Sequence, residues 1–313
     1  MHVFGVPSKV KHRWKGLLFY FLVTLACSVD VWAAGEDLSL KETAAEESVV
    51  AERPERVIAL SKSNAELWIL AGGTLIAASD DAMGVEGMNP DVQNLGDMDH
   101  VSLEAVAALE PELLILFSTE PAQKALGEAA EGIGIPVSGQ NIDDFEDYAA
   151  AMRFFTGLTG REDLYQKHVE NVRDEIGEAI RTAPGELKGK TFLLLHVSAT
   201  KSKVEKNDYF ASEIFSDLGL VNIADDDSSL NDLSLEAIVA VDPDYIFVVP
   251  RGDEEKALES FKTLFSSEPA WESLSAVRDG HYVLLSKELF GLKPNARWGE
   301  AYRQAVIWLQ ELS

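Results

Sequence analysis

Ser102-Leu103-Glu104-Ala105-Val106-Ala107-Ala108-Leu109-Glu110-Pro111-Glu112 returns 132 positions later as Ser234-Leu235-Glu236-Ala237-Ile238-Val239-Ala240-Val241-Asp242-Pro243-Asp244. Each copy runs into an apolar stretch, Leu113-Leu114-Ile115-Leu116-Phe117 in the first half and Tyr245-Ile246-Phe247-Val248-Val249 in the second. A short helix behind a Ser cap, a Pro that stops it and a buried strand therefore occur once in each half. Two halves of one build predict two lobes with a binding site between them.

Outward from the repeats, strands alternate with helices. Arg56–Leu60 reads as a buried strand. Ser61-Lys62-Ser63-Asn64 supplies cap candidates for a helix through Ala65–Ala71, which Gly72-Gly73 stop. A strand follows at 74–78, then a loop rich in Asp, Gly, Asn and Pro over 80–93. Beyond the first repeat come a helix near 121–133, a strand at 136–138 and a helix over 143–158. Residues 161–182 are charged and of helical period, with Leu164, His168, Val172, Ile176 and Ile180 on one stripe; this predicts a stiff rod. A new series follows: strand 191–195, helix 210–218, the second repeat, helix 254–265, strand 281–285 and a final helix near 297–311. The expected fold is α/β: two doubly wound α/β lobes, 56–160 and 183–313, joined by the connector helix 161–182, with a ligand cleft between them.

The amino-terminal segment is built differently. Lys9, Lys11, Arg13 and Lys15 precede an apolar run of eleven residues, Gly16–Ala26. A spanning helix needs about 20 apolar residues, so residues 1–33 read as a secretory signal. Val31-Trp32-Ala33 suits ordinary cleavage before Ala34. Thr24-Leu25-Ala26-Cys27 is an imperfect lipobox that offers Cys27, the single cysteine, for lipidation. Either exit places the protein outside the cytoplasm, periplasmic or lipid-anchored on the outer face of the cytoplasmic membrane. Residues 34–55, rich in Glu, Ala and Ser, read as a flexible leader.

The 313 residues carry 27 basic and 53 acidic side chains, a net charge of −26. That balance argues against nucleic acid and against an anionic membrane face as partner. Cleavage after Ala33 leaves no cysteine, hence no disulfide and no thiolate metal site. Only His100, His168, His196 and His281 lie beyond residue 33, too sparse for a bare metal ion that needs several converging ligands. No nucleophile elbow, phosphate loop or zinc-protease motif occurs, so the chain reads as a binder without a cofactor, not an enzyme.

At this point the chain resembles the solute-binding proteins of ABC importers for iron complexes, haem and cobalamin. The resemblance spans roughly 56–313. It rests on an ordered set: Leu60-Ser61-Lys62-Ser63-Asn64-Ala65-Glu66, Gly96 followed by Ser102-Leu103-Glu104, the single connector helix, the second Ser-Leu-Glu, and the tail Leu289-Phe290-Gly291-Leu292-Lys293-Pro294-Asn295-Ala296-Arg297-Trp298-Gly299-Glu300. The resemblance implies a monomeric carrier that delivers its ligand to an ABC permease. It also implies that Glu104 and Glu236, one per lobe, pair with Arg on the two permease subunits; a carboxylate in a first helical turn also stabilises the helix dipole.

Ligands of doubly wound folds sit beyond the carboxyl ends of the strands. That rule nominates Lys62, Ser63, Met98, His100, Tyr209, Arg251 and Trp298. Lys62 offers positive charge to an anionic complex, and Tyr209 a ring to stack or a phenol to ligate. Arg251 suits a bidentate clamp on a carboxylate, a catecholate oxygen or a propionate, the alternative being a surface pair with Asp253 or Glu254. Haem-binding members place a Met from one lobe and a His from the other on the iron. Here the second-lobe position holds Arg251, and Met98 and His100 only flank the first-lobe position, Asp99. His196 ends an apolar strand and reads as a core histidine. The ranked expectation is a ferric siderophore first, haem second and cobalamin third; a sensing or adhesin ectodomain without a transporter is the alternative from another class.

Overall fold

Two separate sheets organise the chain. The structure, a computed structural model, describes residues 53–224 and 234–312. The expected signal over 1–33, Cys27 and leader residues 34–52 lie outside the described residues. The last leader residues are not free: the Arg53 N–H donates to the Leu158 carbonyl (2.9 Å), the Glu55 N–H donates to Glu112 (2.6 Å), and Pro54 is buried.

The first sheet has the order β3-β2-β1-β4-β5, with β1 Val57–Ala59, β2 Ala77–Ala78, β3 Gln93–Asn94, β4 Leu113–Phe117 and β5 Val137–Gln140, all parallel. The second runs β10-β9-β6-β7, with β6 Thr191–Val197, β7 Ser202–Val204, β9 Tyr245–Pro250 and β10 Tyr282–Leu284; β8, Val221–Asn222, also pairs with β6. Strands β3, β7 and β8 escape the sequence reading because each has two or three residues, too few for a pattern. Strand β7 is antiparallel to β6 and sets His196 opposite Lys203.

The long strands are apolar throughout because both faces are covered. Alternate residues go to different cores. In β1 and β4, Ile58, Leu114 and Leu116 fill a core of the first lobe alone, while Val57, Ala59, Leu113 and Ile115 face inward. In β6 and β9, Leu193, Leu195, Ile246 and Val248 fill an outer core of the second lobe. Phe192, Leu194, Phe247 and Val249 join the same inner core as Val57 and Ile115. That inner core passes from lobe to lobe through helices.

The helices of the first lobe are α1 Lys62–Leu70, α2 Leu103–Ala107, α3 Pro121–Glu131 and α4 Phe145–Thr159. The connector comprises α5 Glu162–Tyr165, a π-turn over Gln166–Glu170, and α6 Asn171–Thr182. The second lobe holds α7 Phe210–Asp217, α8 Leu235–Val241, α9 Glu254–Phe261, α10 Pro269–Glu272, α11 Ser275–Arg278 and α12 Trp298–Glu311. The π-turn corrects the expected stripe: an extra residue per turn rotates the rod, so Val169, Val172, Ile176 and Ala179 are buried while Ile180 is 39% exposed. The Tyr148 hydroxyl donates to the His168 carbonyl within that turn (3.0 Å).

The repeat extends to its capping hydrogen bonds. Ser102 accepts from the Ala105 N–H at 3.2 Å and Ser234 from the Ala237 N–H at 3.1 Å, each capping its helix. In each copy the residue directly before the Pro is left-handed, Glu110 at φ 44° and Asp242 at φ 41°. The following acid pins the start of the neighbouring strand: Glu112 accepts from the Arg56 N–H (3.1 Å), and Asp244 from the Thr191 N–H (2.8 Å).

Helix α7 carries one misplaced charge. Glu213 faces Asp144, Asp217, Asp147 and Glu146, and burial first, then these acids, pushes its carboxyl from 4.5 up to about 7. The folded chain therefore holds a proton that the unfolded chain has lost, and stability falls as pH rises from 4.5 through 7. Glu213→Gln should raise the melting temperature at pH 8 by a few degrees, at about 2–4 °C per kcal/mol, and by much less at pH 5. Equal shifts at both pH values in thermal unfolding would rule this out.

Candidate functional site

The strand order reverses between β1 and β4, and their carboxyl ends flank a crevice, as the rule for doubly wound sheets requires. The turn after β1 is strained: Ser61 has φ 119°, a conformation rarely adopted by an L residue and costing about 1–3 kcal/mol. A latch from the end of β2 holds it. The Ser61 N–H donates to Ser79 Oγ (2.8 Å), Ser79 Oγ donates to Asp81 (2.6 Å), and the Lys62 N–H donates to Asp81 (2.9 Å). Ser61 in turn caps α1, accepting from the Asn64 N–H at 3.2 Å.

This turn forms one wall of a cavity of about 330 Å³ between the lobes. The first lobe contributes Lys62, Ser63, Glu66, Asp81, Met98 and Phe117. The second contributes Tyr209, Phe210 and Arg251, together with the tail residues Glu288, Leu292, Lys293, Pro294 and Arg297. Four basic side chains face three acidic ones, against about one basic for every two acidic in the chain as a whole. The cleft wall thus reverses the sign of the molecule.

Five of the seven nominated ligand residues meet here: Lys62, Ser63, Met98, Tyr209 and Arg251. The other two do not. His100 lies outside, its side chain 82% exposed and 3.3 Å from Asp97. Trp298 is fully buried behind the cleft, edge-on to Phe145 (6.0 Å) and Phe210 (5.7 Å). Its size makes it core once helices from both lobes converge on it. His196 is a satisfied core histidine on one side only: Nδ1 meets Glu205 at 2.7 Å, while Nε2 has no partner among the described residues.

The wall residues differ in what they leave open. Arg251 is held by its backbone, whose N–H donates to the Val197 carbonyl (2.7 Å), and its guanidinium has no ion-pair or hydrogen-bond partner among the described residues. Asp253 is occupied elsewhere, capping α9 through the Lys256 N–H (3.1 Å) and pairing with Lys256 Nζ (3.1 Å). Tyr209 donates to the Phe290 carbonyl (2.7 Å), and burial, with Glu205 nearby, pushes its hydroxyl far above the usual range. Its hydroxyl is thus committed to the Phe290 carbonyl while the residue lines the cavity. Burial pushes the Lys293 ammonium down, opposed by Asp143, and it sits 5.2 Å over the Phe210 ring.

The lobes also touch through polar groups. Asn295, in the left-handed region at φ 50°, donates to Glu66 (2.7 Å), and Ser63 Oγ donates to Asn295 Oδ1 (3.5 Å). Burial raises the Glu66 carboxyl, partly offset by the Asn295 bond. Lys62 lies 4.0 Å from Glu288 across the gap. Glu66, Asp81, Lys293 and Arg297 were not among the nominated ligand residues, although Glu66 and the tail motif both carried the family resemblance.

A family model described as periplasmic binding protein matches residues 57–289, most of the chain. The chain belongs to this family. Its members are solute carriers and not enzymes. The iron(3+)-hydroxamate-binding protein FhuD of Bacillus subtilis is 24% identical over 74% of this chain and 74% of its own length. Two solved structures share the fold. The periplasmic vitamin B12 binding protein BtuF of Vibrio cholerae has a TM-score of 0.67 at 19% identity, covering 83% of this chain and 98% of its own. The periplasmic heme-binding protein RhuT of Roseiflexus sp. RS-1 has a TM-score of 0.65 at 20% identity, covering 82% and 98%.

The Asn295–Glu66 bond spares a part-buried carboxylate an unmet acceptor. Asn295→Ala should cost about 1–3 kcal/mol in urea unfolding. Asn295→Gly, which accepts the left-handed backbone without strain, should recover only part of that loss. A wild-type midpoint for Asn295→Ala would contradict the assignment.

Proposed function

We propose that this protein is an exported carrier that takes up a ferric siderophore between its two lobes and presents it to an ABC permease. The observation that carries this reading is the Arg251 guanidinium, unpaired among the described residues, in a cleft wall more basic than the chain. Together with Lys62, Lys293 and Arg297 it suits the oxygen-rich periphery of an iron chelate, while Phe117, Tyr209 and Phe210 suit its apolar parts. Among its described lining residues the cleft has Met98 but no histidine: the second-lobe position holds Arg251, and His100 of the first lobe lies outside; this favours a chelate that brings its own iron ligands over haem. The hydroxamate-binding relative agrees with a siderophore, and the B12- and heme-binding neighbours define the competing ligands.

Titration of the purified mature protein, followed by intrinsic Trp fluorescence, tests the ligand. Ferric siderophores should quench at micromolar concentration or below, and Arg251→Gln should weaken the best one about tenfold or more. A Soret shift with haem, or a response to cobalamin alone, would replace the siderophore.

Glu104 and Glu236 are both exposed, each in the first turn of a Ser-capped helix, α2 and α8. We infer that each pairs with a basic residue on one of the two permease subunits, so that the carrier docks in a fixed orientation and the permease draws the lobes apart. Reversing both (Glu104→Lys with Glu236→Lys) should abolish uptake by cells while leaving ligand affinity in solution within about twofold. Undiminished uptake would favour a sensing or adhesin role.

A further inference from the structure

A second, smaller cavity of about 160 Å³ adjoins the cleft and shares Arg251 with it. Its wall is made of His196, Val197, Ser198, Lys201, Lys203 and Arg251. We propose that it is an anion subsite that receives a carboxylate-bearing arm of the ligand held in the cleft. This rests on the reading of the cleft as a ferric-chelate site and adds the charge class of the chelate.

Four observations converge. Among the described residues no acidic side chain lines the cavity, although acids outnumber bases about two to one in the chain. The β6–β7 hairpin is built to gather cations there: its register sets Lys203 opposite His196, and the Ser198 hydroxyl closes the turn by donating to the Lys201 carbonyl (2.7 Å). The side chains of Lys201 and Arg251 have no ion-pair or hydrogen-bond partner among the described residues. Finally, His196 is 93% buried in the wall with Nε2 unpartnered, while Nδ1 is fixed by Glu205, which also takes Lys203 Nζ at 3.0 Å. In the imidazolium form, Nδ1–H serves Glu205 and Nε2–H is a donor for a carboxylate guest. The volume is too small for a whole chelate and large enough for a carboxylate arm. An anion reaching it from the cleft passes Arg251, the residue common to both walls.

The test compares two probes on the mature protein by calorimetry: ferric citrate, which carries free carboxylates, and an uncharged ferric trihydroxamate. Wild type should favour ferric citrate. Lys201→Gln combined with Lys203→Gln should weaken ferric citrate about tenfold to a hundredfold and collapse the ratio between the two probes. Lys124→Gln on α3 should leave the ratio unchanged. An unchanged ratio in the double variant, or equal losses for both probes, overturns the subsite and leaves the hairpin lysines as solvated surface. Should the double variant fail to fold, Lys201→Glu alone, at an exposed position, must collapse the same ratio. If neither ferric probe binds wild type, the siderophore reading fails, and iron-free citrate then decides the subsite alone. Amide shifts at Ser198, Lys201 and Arg251 that vanish in Lys201→Glu uphold it; no shifts overturn it.

Discussion

Trp298 has no exposed surface and lies edge-on between Phe145 of the first lobe and Phe210 of the second. Around it, α4, the connector and α12 close one inner core that both sheets share. The lobes are therefore not two bodies on a rod; they are fused at the back and parted only at the front. Removing a buried Trp typically costs about 3–5 kcal/mol, and here that loss would fall on the spacing of the cleft as well as on stability. A cleft backed by continuous core is largely preformed, so little ordering cost falls on binding.

The charge distribution follows from the same division. Acids cover the outside and crowd one inter-lobe edge, where Glu213 faces Asp144, Glu146, Asp147 and Asp217. Bases gather at the mouth of the cleft and along the β6–β7 hairpin. Such a field is more favourable to an anion there than over the acidic exterior. Polar residues inside the cleft are largely committed to holding shape: Asp81 to the strained Ser61 turn, Tyr209 to the Phe290 carbonyl, Asn295 to Glu66. Arg251 is not so committed.

Much of the fold was legible because it is local and repeated. Ser102 and Ser234 cap as their sequence positions predict, and the apolar runs that follow become β4 and β9. The repeat even carried information that no motif reading extracted, since Glu112 and Asp244 hold corresponding strand starts. Within the connector, legibility stopped at the π-turn. A period-four stripe describes a regular helix, and the Tyr148 hydroxyl that meets the His168 carbonyl in that turn arrives from another element.

The sequence by itself determined two α/β lobes, their order, the helical connector between them and several of the loops that line the cleft, because caps, breakers and apolar periods act over a few residues. Only the tertiary structure decided which loop residues meet. It admitted Glu66, Lys293 and Arg297 to the cleft, sent Trp298 to the core and left His100 outside. Those outcomes depend on how helices from opposite ends of the chain pack against each other, and no short window of sequence contains both partners.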